Sequence, residues 1–218
     1  MPRIENGVGP SGPTPLLVFP CNGNALEAID CLGGAFDLVG FIDDAPQKFG
    51  HGPGGVPVFA RDALERWPEA KVLAVPGGPA SFAARRAVID SLGLPANRFA
   101  TVIHPCARVS PMATIGRNVL LMAGVVVTSN AILGDHVCVL PNTVIHHDAT
   151  IGAWTLIGSN VTVAGSTHVG ENCYIGSGSS LMNGLRIGDR SLVGLGTTVI
   201  RDCPADSRVA GNPARSLR

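Results

Sequence analysis

The sequence has few charged residues and no net charge. Only 15% of its 218 residues are Asp, Glu, Lys or Arg, and basic and acidic residues balance at 16 each. A surface that binds nucleic acid or an anionic membrane carries an excess of basic residues, so we expect neither partner. No apolar run approaches the roughly 20 residues of a membrane-spanning helix. The first residues, rich in Pro and Gly, lack the apolar stretch of a signal peptide, so we expect a cytoplasmic protein with a loose tail at 1–15.

Cysteine motifs and the dinucleotide fingerprint are also missing. The cysteines are scattered and form no C-x-x-C pair: Cys21, Cys31, Cys106, Cys138, Cys173 and Cys203. Their spacing excludes the common zinc and redox motifs, and we expect reduced thiols. The full dinucleotide-binding fingerprint, a G-x-G-x-x-G that joins a strand to a helix, is absent, which argues against a dinucleotide ligand.

The sequence does contain an unbroken repeat of six residues between Ile103 and Val199. Every sixth residue is Ile, Leu or Val, and the residue two before each is mostly small, as in Ala113 and Thr155. A helix has a period near 3.6 and a plain strand a period of 2, so a period of six fits neither. It predicts a solenoid of short strands on three flat faces, with about 18 residues per coil and the aliphatic residues stacked inside. This is the hexapeptide repeat of the left-handed parallel β-helix.

Before the repeat, short apolar runs alternate with helical segments. We predict strands at 16–19, 37–42, 71–75 and 99–103, helices at 25–32, 60–67 and 81–92, and a loop at 52–57. Such alternation predicts βαβ units with a parallel sheet, as in a Rossmann-like domain. The predicted organisation is therefore a tail at 1–15, a Rossmann-like domain at 16–102, a left-handed β-helix at 103–203 and a C-terminal extension at 204–218.

Residues suited to ligand binding follow three of the predicted strands. Ligands of a parallel sheet lie beyond the carboxyl ends of its strands. The residues at these ends are Asn22, Gly23, Asn24, Asp43, Asp44 and Gly77. Glycine lets the backbone approach a ligand, a helix N-terminus favours phosphate, and an acid after the second strand is the usual partner of a ribose hydroxyl. The alternative is that these residues only form turns, but their occurrence at three equivalent ends favours a nucleotide site.

The repeat contains two histidines and an acid at His146, His147 and Asp148. Imidazole, with a pKa near 6.5, can accept a proton at neutral pH, and a neighbouring carboxylate can fix its tautomer. Because these residues follow the inward aliphatic Ile145, we expect them at an outward corner. There they form either a site completed by another subunit or a polar surface corner. The other histidines are expected on the surface: His51, His104, His136 and His168.

Zinc-dependent carbonic anhydrase chemistry is another use of this type of solenoid. It needs three converging histidines, usually two of them spaced as H-x-x-x-x-H. That spacing does not occur in this sequence. Because a catalytic zinc needs three good ligands, we expect no metal site.

An α/β domain followed by a hexapeptide helix with an embedded His-Asp resembles the sugar acyltransferases of the sialic acid O-acetyltransferase and bacillosamine N-acetyltransferase group. The resemblance runs from Leu16 to the end and includes the closing Val-Ala-Gly-Asn-Pro-Ala at 209–214. It implies acetyl-CoA-dependent transfer to the 4-amino group of a nucleotide-linked 4-amino-4,6-dideoxy sugar, in a homotrimer. GDP-perosamine is the first candidate substrate and a UDP-linked amino sugar the second.

The resemblance also assigns roles to residues. It makes His147 the general base and Asp148 its supporting acid. The nucleotide-sugar contacts it implies are Asn22, Gly23, Asn24, Asp43, Asp44 and Gly77, and the contacts to the coenzyme A arm are Gly165, Ser177 and Leu195. The sequence departs from the group where Asp148 replaces the frequent Glu and where Leu156 replaces a second histidine of some members. Two alternatives remain open, a sugar O-acetyltransferase and a non-catalytic nucleotide-sugar-binding scaffold.

Overall fold

A computed structural model of the protein describes residues 12–217. Residues 1–11 of the predicted tail lie outside the described residues, and the first strand already begins at Thr14. The chain first forms a five-stranded sheet with helices and then a stack of triangular coils. None of the helices in the described part has the length and apolar character needed to cross a bilayer.

The N-terminal sheet is mainly parallel, as the alternation of strands and helices predicts. Its strands are β1 Thr14–Phe19, β2 Phe36–Ile42, β3 Gly50–His51, β4 Pro57–Phe59 and β5 Lys71–Ala74. They lie in the order β3-β4-β2-β1-β5, and only the β3–β4 pair is antiparallel. The helices are α1 Gly23–Ile29, α2 Ala63–Arg66 and α3 Arg85–Asp90, with short 3-10 turns at Pro46–Lys48, Pro53–Gly55, Phe82–Ala84 and Ala96–Arg98.

Several element boundaries differ from the sequence-based expectation. Helix α1 begins two residues early because the side chain of Asn22 accepts a hydrogen bond from the Ala25 N–H and caps it. Helix α2 is a single turn that begins only at Ala63, because the N–H groups of Ala63 and Leu64 still make turn-type bonds to the carbonyls three residues before them. The predicted loop at 52–57 ends in the short strand β4. The predicted strand at 99–103 is reduced to Val102–Ile103, with one isolated bridge from Phe99 to Val72.

The coils consist of two-residue strands that form three faces. Face 1 contains Val102–Ile103, Leu120–Leu121, Cys138–Val139, Leu156–Ile157, Tyr174–Ile175, Leu192–Val193 and Arg208–Ala210, closed by the antiparallel Arg215–Ser216. Face 2 contains Arg108–Val109, Val126–Val127, Val144–Ile145, Thr162–Val163, Ser180–Leu181 and Thr198–Val199. Face 3 contains Thr114–Ile115, Ile132–Leu133, Thr150–Ile151, His168–Val169 and Arg186–Ile187. Face 1 therefore continues to Ala210, beyond the expected end of the coils at 203.

The interior of the coils is built as the period of six predicts. The repeated aliphatic residues from Leu121 to Val199 are buried and form one cluster along the axis. Small residues between them form hydrogen bonds that join neighbouring coils. The hydroxyl of Thr143, for example, donates to the Gly158 carbonyl at 2.7 Å and accepts from the Val161 N–H at 3.1 Å. Each coil thus completes the packing and hydrogen bonding of the next.

The N-terminal sheet packs against face 1. The outward residues of this face include Leu120, Leu156 and Tyr174, which are buried in the same cluster as residues of β1 and β5. At the corner between faces 3 and 1, the Asn118 side chain accepts from the Ala74 N–H at 2.7 Å and donates to the Ala74 carbonyl at 2.8 Å. These contacts fix the end of β5 to the first coils, while no other element of residues 12–217 covers faces 2 and 3.

Candidate functional site

The His-Asp pair lies at the corner that joins faces 2 and 3, which we call corner 2–3. The Nδ1 atom of His147 lies 2.7 Å from Oδ2 of Asp148. The other carboxylate oxygen of Asp148 accepts a hydrogen bond of 3.0 Å from the side-chain amide of Asn130. Both side chains of the pair are exposed, by 61% for His147 and 50% for Asp148. The pair is therefore preformed and open to a ligand.

The hydrogen bonds of Asp148 determine its charge and the tautomer of His147. The bond from His147 and then the bond from Asn130 lower the pKa of the Asp148 carboxyl below its ordinary value. An ionised carboxylate only accepts hydrogen bonds, so in the neutral ring the proton is on Nδ1. This leaves the lone pair of His147 Nε2 free to accept a proton from a ligand.

Gly165 lies against the imidazole of His147. A Cβ atom at this position would lie 2.6 Å from both Cε1 and Nε2 of the ring, so a side chain would push the ring away. One residue further along, the Ser166 N–H donates to the His147 carbonyl at 2.9 Å. The structure therefore brings the predicted residue Gly165 together with the His-Asp pair.

Asp148 and Asn130 occupy equivalent places on successive coils, 18 residues apart. Both have a positive φ, 59° in each case. Asn and Asp tolerate this left-handed conformation better than most residues, which suits them to a tight corner. The corner backbone thus places the amide of one coil beside the carboxylate of the next.

Exposed apolar side chains lie along the same corner, two or three coils from the pair. Met112, Met182 and Ile200 lie on corner 2–3 and are exposed by 60%, 45% and 42%. Ile132, on the adjoining face 3, is exposed by 48%. Corner 2–3 therefore presents apolar as well as polar side chains to its surroundings.

The other two predicted coenzyme contacts lie on a different corner. Ser177 and Leu195 occupy equivalent positions on successive coils where face 1 meets face 2, which we call corner 1–2. The Ser177 hydroxyl accepts from the Ser159 N–H at 3.0 Å, and Leu195 is 70% exposed. Corners 1–2 and 2–3 border the same face 2.

The predicted nucleotide-sugar residues lie at the carboxyl ends of β1, β2 and β5, which are neighbours in the sheet. Asn22 caps α1 and also donates to the Val75 carbonyl at 3.2 Å. Asn24 donates to the carbonyls of Val75 at 3.4 Å and Gly77 at 3.3 Å. Gly23, at the start of α1, borders open space. The structure thus brings Asn22, Asn24 and Gly77 into one hydrogen-bonded group.

The two acids after β2 have different surroundings. Asp43 is buried, and its carboxylate accepts from the N–H groups of Cys21 and Ala45 and from the ammonium of Lys48, at 2.7 Å. Asp44 is exposed and accepts two hydrogen bonds from Arg61, which lower the pKa of its carboxyl. Asp43 therefore belongs to the group at the strand ends, whereas Asp44 is directed toward Arg61.

His136 does not lie on the open surface, so its assignment to the surface was wrong. Its ring stacks on Trp154 at 5.6 Å and meets Phe99 edge-on at 5.0 Å, and the Asn118 amide lies 3.0 Å from its Nδ1. Burial lowers the pKa of the His136 imidazole. The N-terminal sheet covers this corner of the coils, which a period of six does not reveal.

The cysteines are all free thiols, and only Cys106 is exposed. Burial raises the pKa of Cys31 to about 12 and those of Cys138 and Cys173 to about 11. These thiols are therefore protonated at neutral pH and poor nucleophiles. Within residues 12–217, no group of three or more His, Cys, Asp and Glu side chains is placed to hold a metal ion.

Sequence reasoning missed Asn130, Lys48 and Arg85. The first would have followed from the period of 18, which places position 130 one coil before position 148. Lys48 and Arg85 meet their partners only through the packing of the N-terminal sheet, and no sequence spacing indicates those contacts.

Family models match the coils. The model described as bacterial transferase hexapeptide (six repeats) matches residues 112–145 and 130–165, and that described as hexapeptide repeat of succinyl-transferase matches residues 149–183. No curated protein sequence matches the chain.

Solved structures match nearly the whole chain. The acetyltransferase domain of PglB from Neisseria gonorrhoeae FA1090 is 28% identical with a TM-score of 0.81, over 93% of this chain and 99% of that one. The same domain in complex with acetyl coenzyme A is 27% identical with a TM-score of 0.82, over 94% and 100%. PerB from Caulobacter crescentus, in complex with CoA and GDP-perosamine, is 25% identical with a TM-score of 0.82, over 94% and 97%.

These neighbours combine an N-terminal Rossmann-like domain with a left-handed β-helix of hexapeptide repeats, and this chain has the same fold. The match covers 93% and 94% of this chain and so extends over both parts of the molecule. In its repeats and its fold, the chain is similar to hexapeptide-repeat sugar acetyltransferases that carry an N-terminal Rossmann-like domain.

Proposed function

We propose that the protein transfers an acetyl group from acetyl-CoA to the 4-amino group of a nucleotide-linked 4-amino-4,6-dideoxy sugar. The observation that carries this proposal is the preformed pair of His147 and Asp148, 2.7 Å apart on an exposed corner, with Nε2 free to accept a proton. The complexes of the two neighbours with acetyl coenzyme A and with CoA and GDP-perosamine support it. GDP-perosamine is the first candidate substrate, and a UDP-linked amino sugar is the second.

The reaction is a direct attack of the sugar amine on the thioester carbonyl. The new C–N bond forms as Nε2 of His147 takes the proton of the amine, and the C–S bond breaks to release coenzyme A as thiolate. The proton then passes from His147 to that thiolate or to water. Asp148 keeps the ring in the correct tautomer and stabilises the imidazolium that forms. Backbone N–H groups of the coil stabilise the oxyanion.

Acetyl-CoA binds along face 2, between corner 1–2 and corner 2–3. The outward residues of this face on the later coils are small: Thr162, Ser180 and Thr198. This row of small side chains leaves room for the extended arm of acetyl-CoA to lie against the strands. Ser177 and Leu195 flank its outer part, and Gly165, next to His147, flanks the thioester.

The nucleotide-linked sugar binds at the carboxyl ends of β1, β2 and β5. Asn22, Gly23, Asn24, Asp43, Asp44 and Gly77 form or support this site. The internal hydrogen bonds of Asp43 give it mainly a role in shaping the strand ends. Gly23 borders open space and can let a ligand approach the backbone.

The active assembly is a homotrimer. The N-terminal sheet covers face 1, and in a triangular coil the corner opposite face 1 is corner 2–3, where His147 lies. A sugar held by the N-terminal sheet of one subunit therefore reaches the His147 of a neighbouring subunit. The exposed Met112, Met182 and Ile200 supply apolar surface for that contact, and three-fold symmetry gives three equal clefts.

The test is a thiol-release assay with acetyl-CoA against GDP-, UDP- and dTDP-linked 4-amino sugars. Turnover with one of them establishes the reaction and the nucleotide together. Turnover only with sugars that lack the amine would replace N-acetylation by O-acetylation. Absence of both turnover and acetyl-CoA binding would leave a nucleotide-sugar-binding scaffold.

Mixed oligomers test the shared cleft. Subunits with His147→Ala and subunits with Asn24→Ala are each expected to be inactive alone. After unfolding and refolding together, mixed trimers contain a cleft with an intact His147 from one subunit and an intact sheet from the other. Activity should return in the mixture, and its absence despite correct assembly would mean that each subunit completes its own site.

A further inference from the structure

Arg85 is a buried cation that has no carboxylate partner among the described residues. Its side chain is 1% exposed, and burial lowers the pKa of its guanidinium. Its bonds within residues 12–217 go to two backbone carbonyls, from Nη1 to Pro76 and from Nη2 to His136 at 2.7 Å, while Nε has no partner there. Burying a guanidinium among neutral dipoles is costly. This placement therefore suggests a role beyond packing.

The Pro76 carbonyl belongs to the loop that follows β5 at the ligand edge of the sheet. The peptide bond between Pro76 and Gly77 is trans, so its C=O and N–H point in opposite directions. Because Arg85 holds the carbonyl on the buried side, the Gly77 N–H points away from Arg85. Gly77 and Gly78 are both partly exposed.

The next peptide is held in the same way. The Gly77 carbonyl accepts from Asn24, so the Gly78 N–H points away from Asn24. No acceptor within the described residues pairs with the N–H of Gly77 or Gly78. Gly77 has φ +105°, a conformation that L side chains rarely adopt, and a Cβ atom built there would lie 3.7 Å from Cδ and 3.8 Å from Cβ of Arg85. The loop thus offers two successive unpaired N–H donors, the pattern by which backbone binds anionic oxygens.

We propose that Arg85 is a positioning residue of the nucleotide-sugar site: it holds the Pro76 carbonyl inward so that the amides of Gly77 and Gly78 donate to phosphate oxygens of the nucleotide diphosphate. This inference rests on the proposed function. Arg85 does not touch the ligand. Its guanidinium, bonded also to the coil at His136, fixes the loop that does.

The test compares Arg85→Lys and Arg85→Met with Arg98→Lys. Arg98 is a matched control, because it also donates to carbonyls, those of Ala70 at 2.9 Å and Trp67 at 3.2 Å, but away from this loop. Binding of GDP, UDP and the nucleotide sugar is measured by calorimetry, with acetyl-CoA as the internal reference. We expect the Arg85 variants to bind nucleotide about tenfold more weakly and to raise KM for the sugar substrate with little change in kcat. Their affinity for acetyl-CoA should not change.

Amide hydrogen exchange of residues 75–81 in the full-length protein gives a readout that does not require turnover. Faster exchange of this segment in Arg85→Lys, but not in Arg98→Lys, is expected. If Arg85→Met does not fold, Arg85→Lys still tests the proposal. Lysine keeps a buried cation but lacks the planar fork with which arginine donates to two carbonyls at once.

Equal effects of the Arg85 and Arg98 variants on nucleotide binding would overturn the proposal and leave Arg85 a purely structural residue. Absence of any nucleotide binding by the wild type would overturn it as well. If the wild type binds nucleotide but transfers no acetyl group, the proposed function fails, while the binding and exchange results still decide the role of Arg85.

Discussion

The imidazole of His147 lies directly on the backbone of Gly165, one coil further along. A Cβ atom at position 165 would come within 2.6 Å of Cε1 and Nε2, the edge of the ring that the proposed mechanism uses. The position of the proposed base therefore depends on the absence of a side chain on the next coil.

Gly165→Ala should lower kcat while the protein stays folded. The backbone at Gly165 does not have the positive φ that alanine avoids, so the added methyl group displaces the ring rather than the coil. A misplacement of about 1 Å can cost roughly 10²-fold in rate. Steady-state kinetics and circular dichroism check this outcome. A kcat equal to that of the wild type would show that the ring position does not control the reaction.

His147→Asn or His147→Ala should lower kcat strongly, with a smaller effect on KM. A general base contributes roughly 10²–10⁴-fold, and a free amine needs less activation than a hydroxyl, so the lower part of this range is expected. His168→Asn, a change of an exposed histidine on face 3, serves as the control. A change in KM alone would mean that His147 only binds substrate.

Asn130→Gly should reduce kcat by about tenfold. Glycine keeps the positive φ of the corner and removes the amide that bonds Asp148. The pKa of the Asp148 carboxyl should rise toward its ordinary value, because one of the two hydrogen bonds that lower it is lost. Steady-state kinetics measure the change in kcat, and the control is Asn142→Gly, which makes the same change at an exposed corner with φ 61°. A kcat equal to that of the wild type would count against this role of Asn130.

Met182→Lys should dissociate the proposed trimer and abolish activity together. The side chain lies on corner 2–3 and is 45% exposed, so a charge there would be buried on assembly. Sedimentation velocity at several protein concentrations measures the effect. The control is Phe49→Lys, at a 41% exposed site of the N-terminal part, which should leave the mass of the assembly unchanged. An assembled Met182→Lys protein would place the subunit contact on another surface.

Acidification should destabilise the packing of the N-terminal sheet on the coils through His136. Burial lowers the pKa of its imidazole, Asp135 and Asp90 oppose this shift, and Arg85 adds to it. As the pH falls through about 6.5, the unfolded chain takes up a proton that the folded chain does not. The stability contributed by the neutral ring is therefore present above this pH and is lost below it.

Urea unfolding of His136→Asn between about pH 5 and 8 checks this assignment. Asparagine tolerates the positive φ of 64° at this corner and has no titrating group. The variant should be less stable at neutral pH and show a weaker loss on acidification. If the free energy of unfolding of the variant falls with pH as steeply as that of the wild type, groups other than His136 cause the effect.

The coil prediction succeeded because the signal is local and repeated. Each inward aliphatic residue occupies the same chemical position on every coil, so the period of six could be read directly from the sequence. The alternation of strands and helices before Val102 could equally be predicted from the sequence. The helix starts were predicted less well: α1 begins two residues early because Asn22 caps it, and α2 begins three residues late, at Ala63.

The face that the N-terminal sheet covers could also have been predicted from the sequence, but only by examining every eighteenth residue. Taking every eighteenth residue from Val102 gives Leu120, Cys138, Leu156 and Tyr174, all apolar although they point outward. The equivalent residues of face 3 include Thr150, His168 and Arg186. The assignment of His136 to the surface was wrong because the N-terminal sheet covers the corner on which this residue lies.

The sequence by itself determined the architecture and the chemical character of the corner at His147, because periodicity and residue type are local properties. Only the tertiary structure decided which groups meet. It stacks Gly165 under His147, joins Asn130 to Asp148, and buries Arg85 against the loop of Gly77. Those contacts depend on how coils stack and on how a separate sheet packs against one face, and a distance along the chain does not encode them.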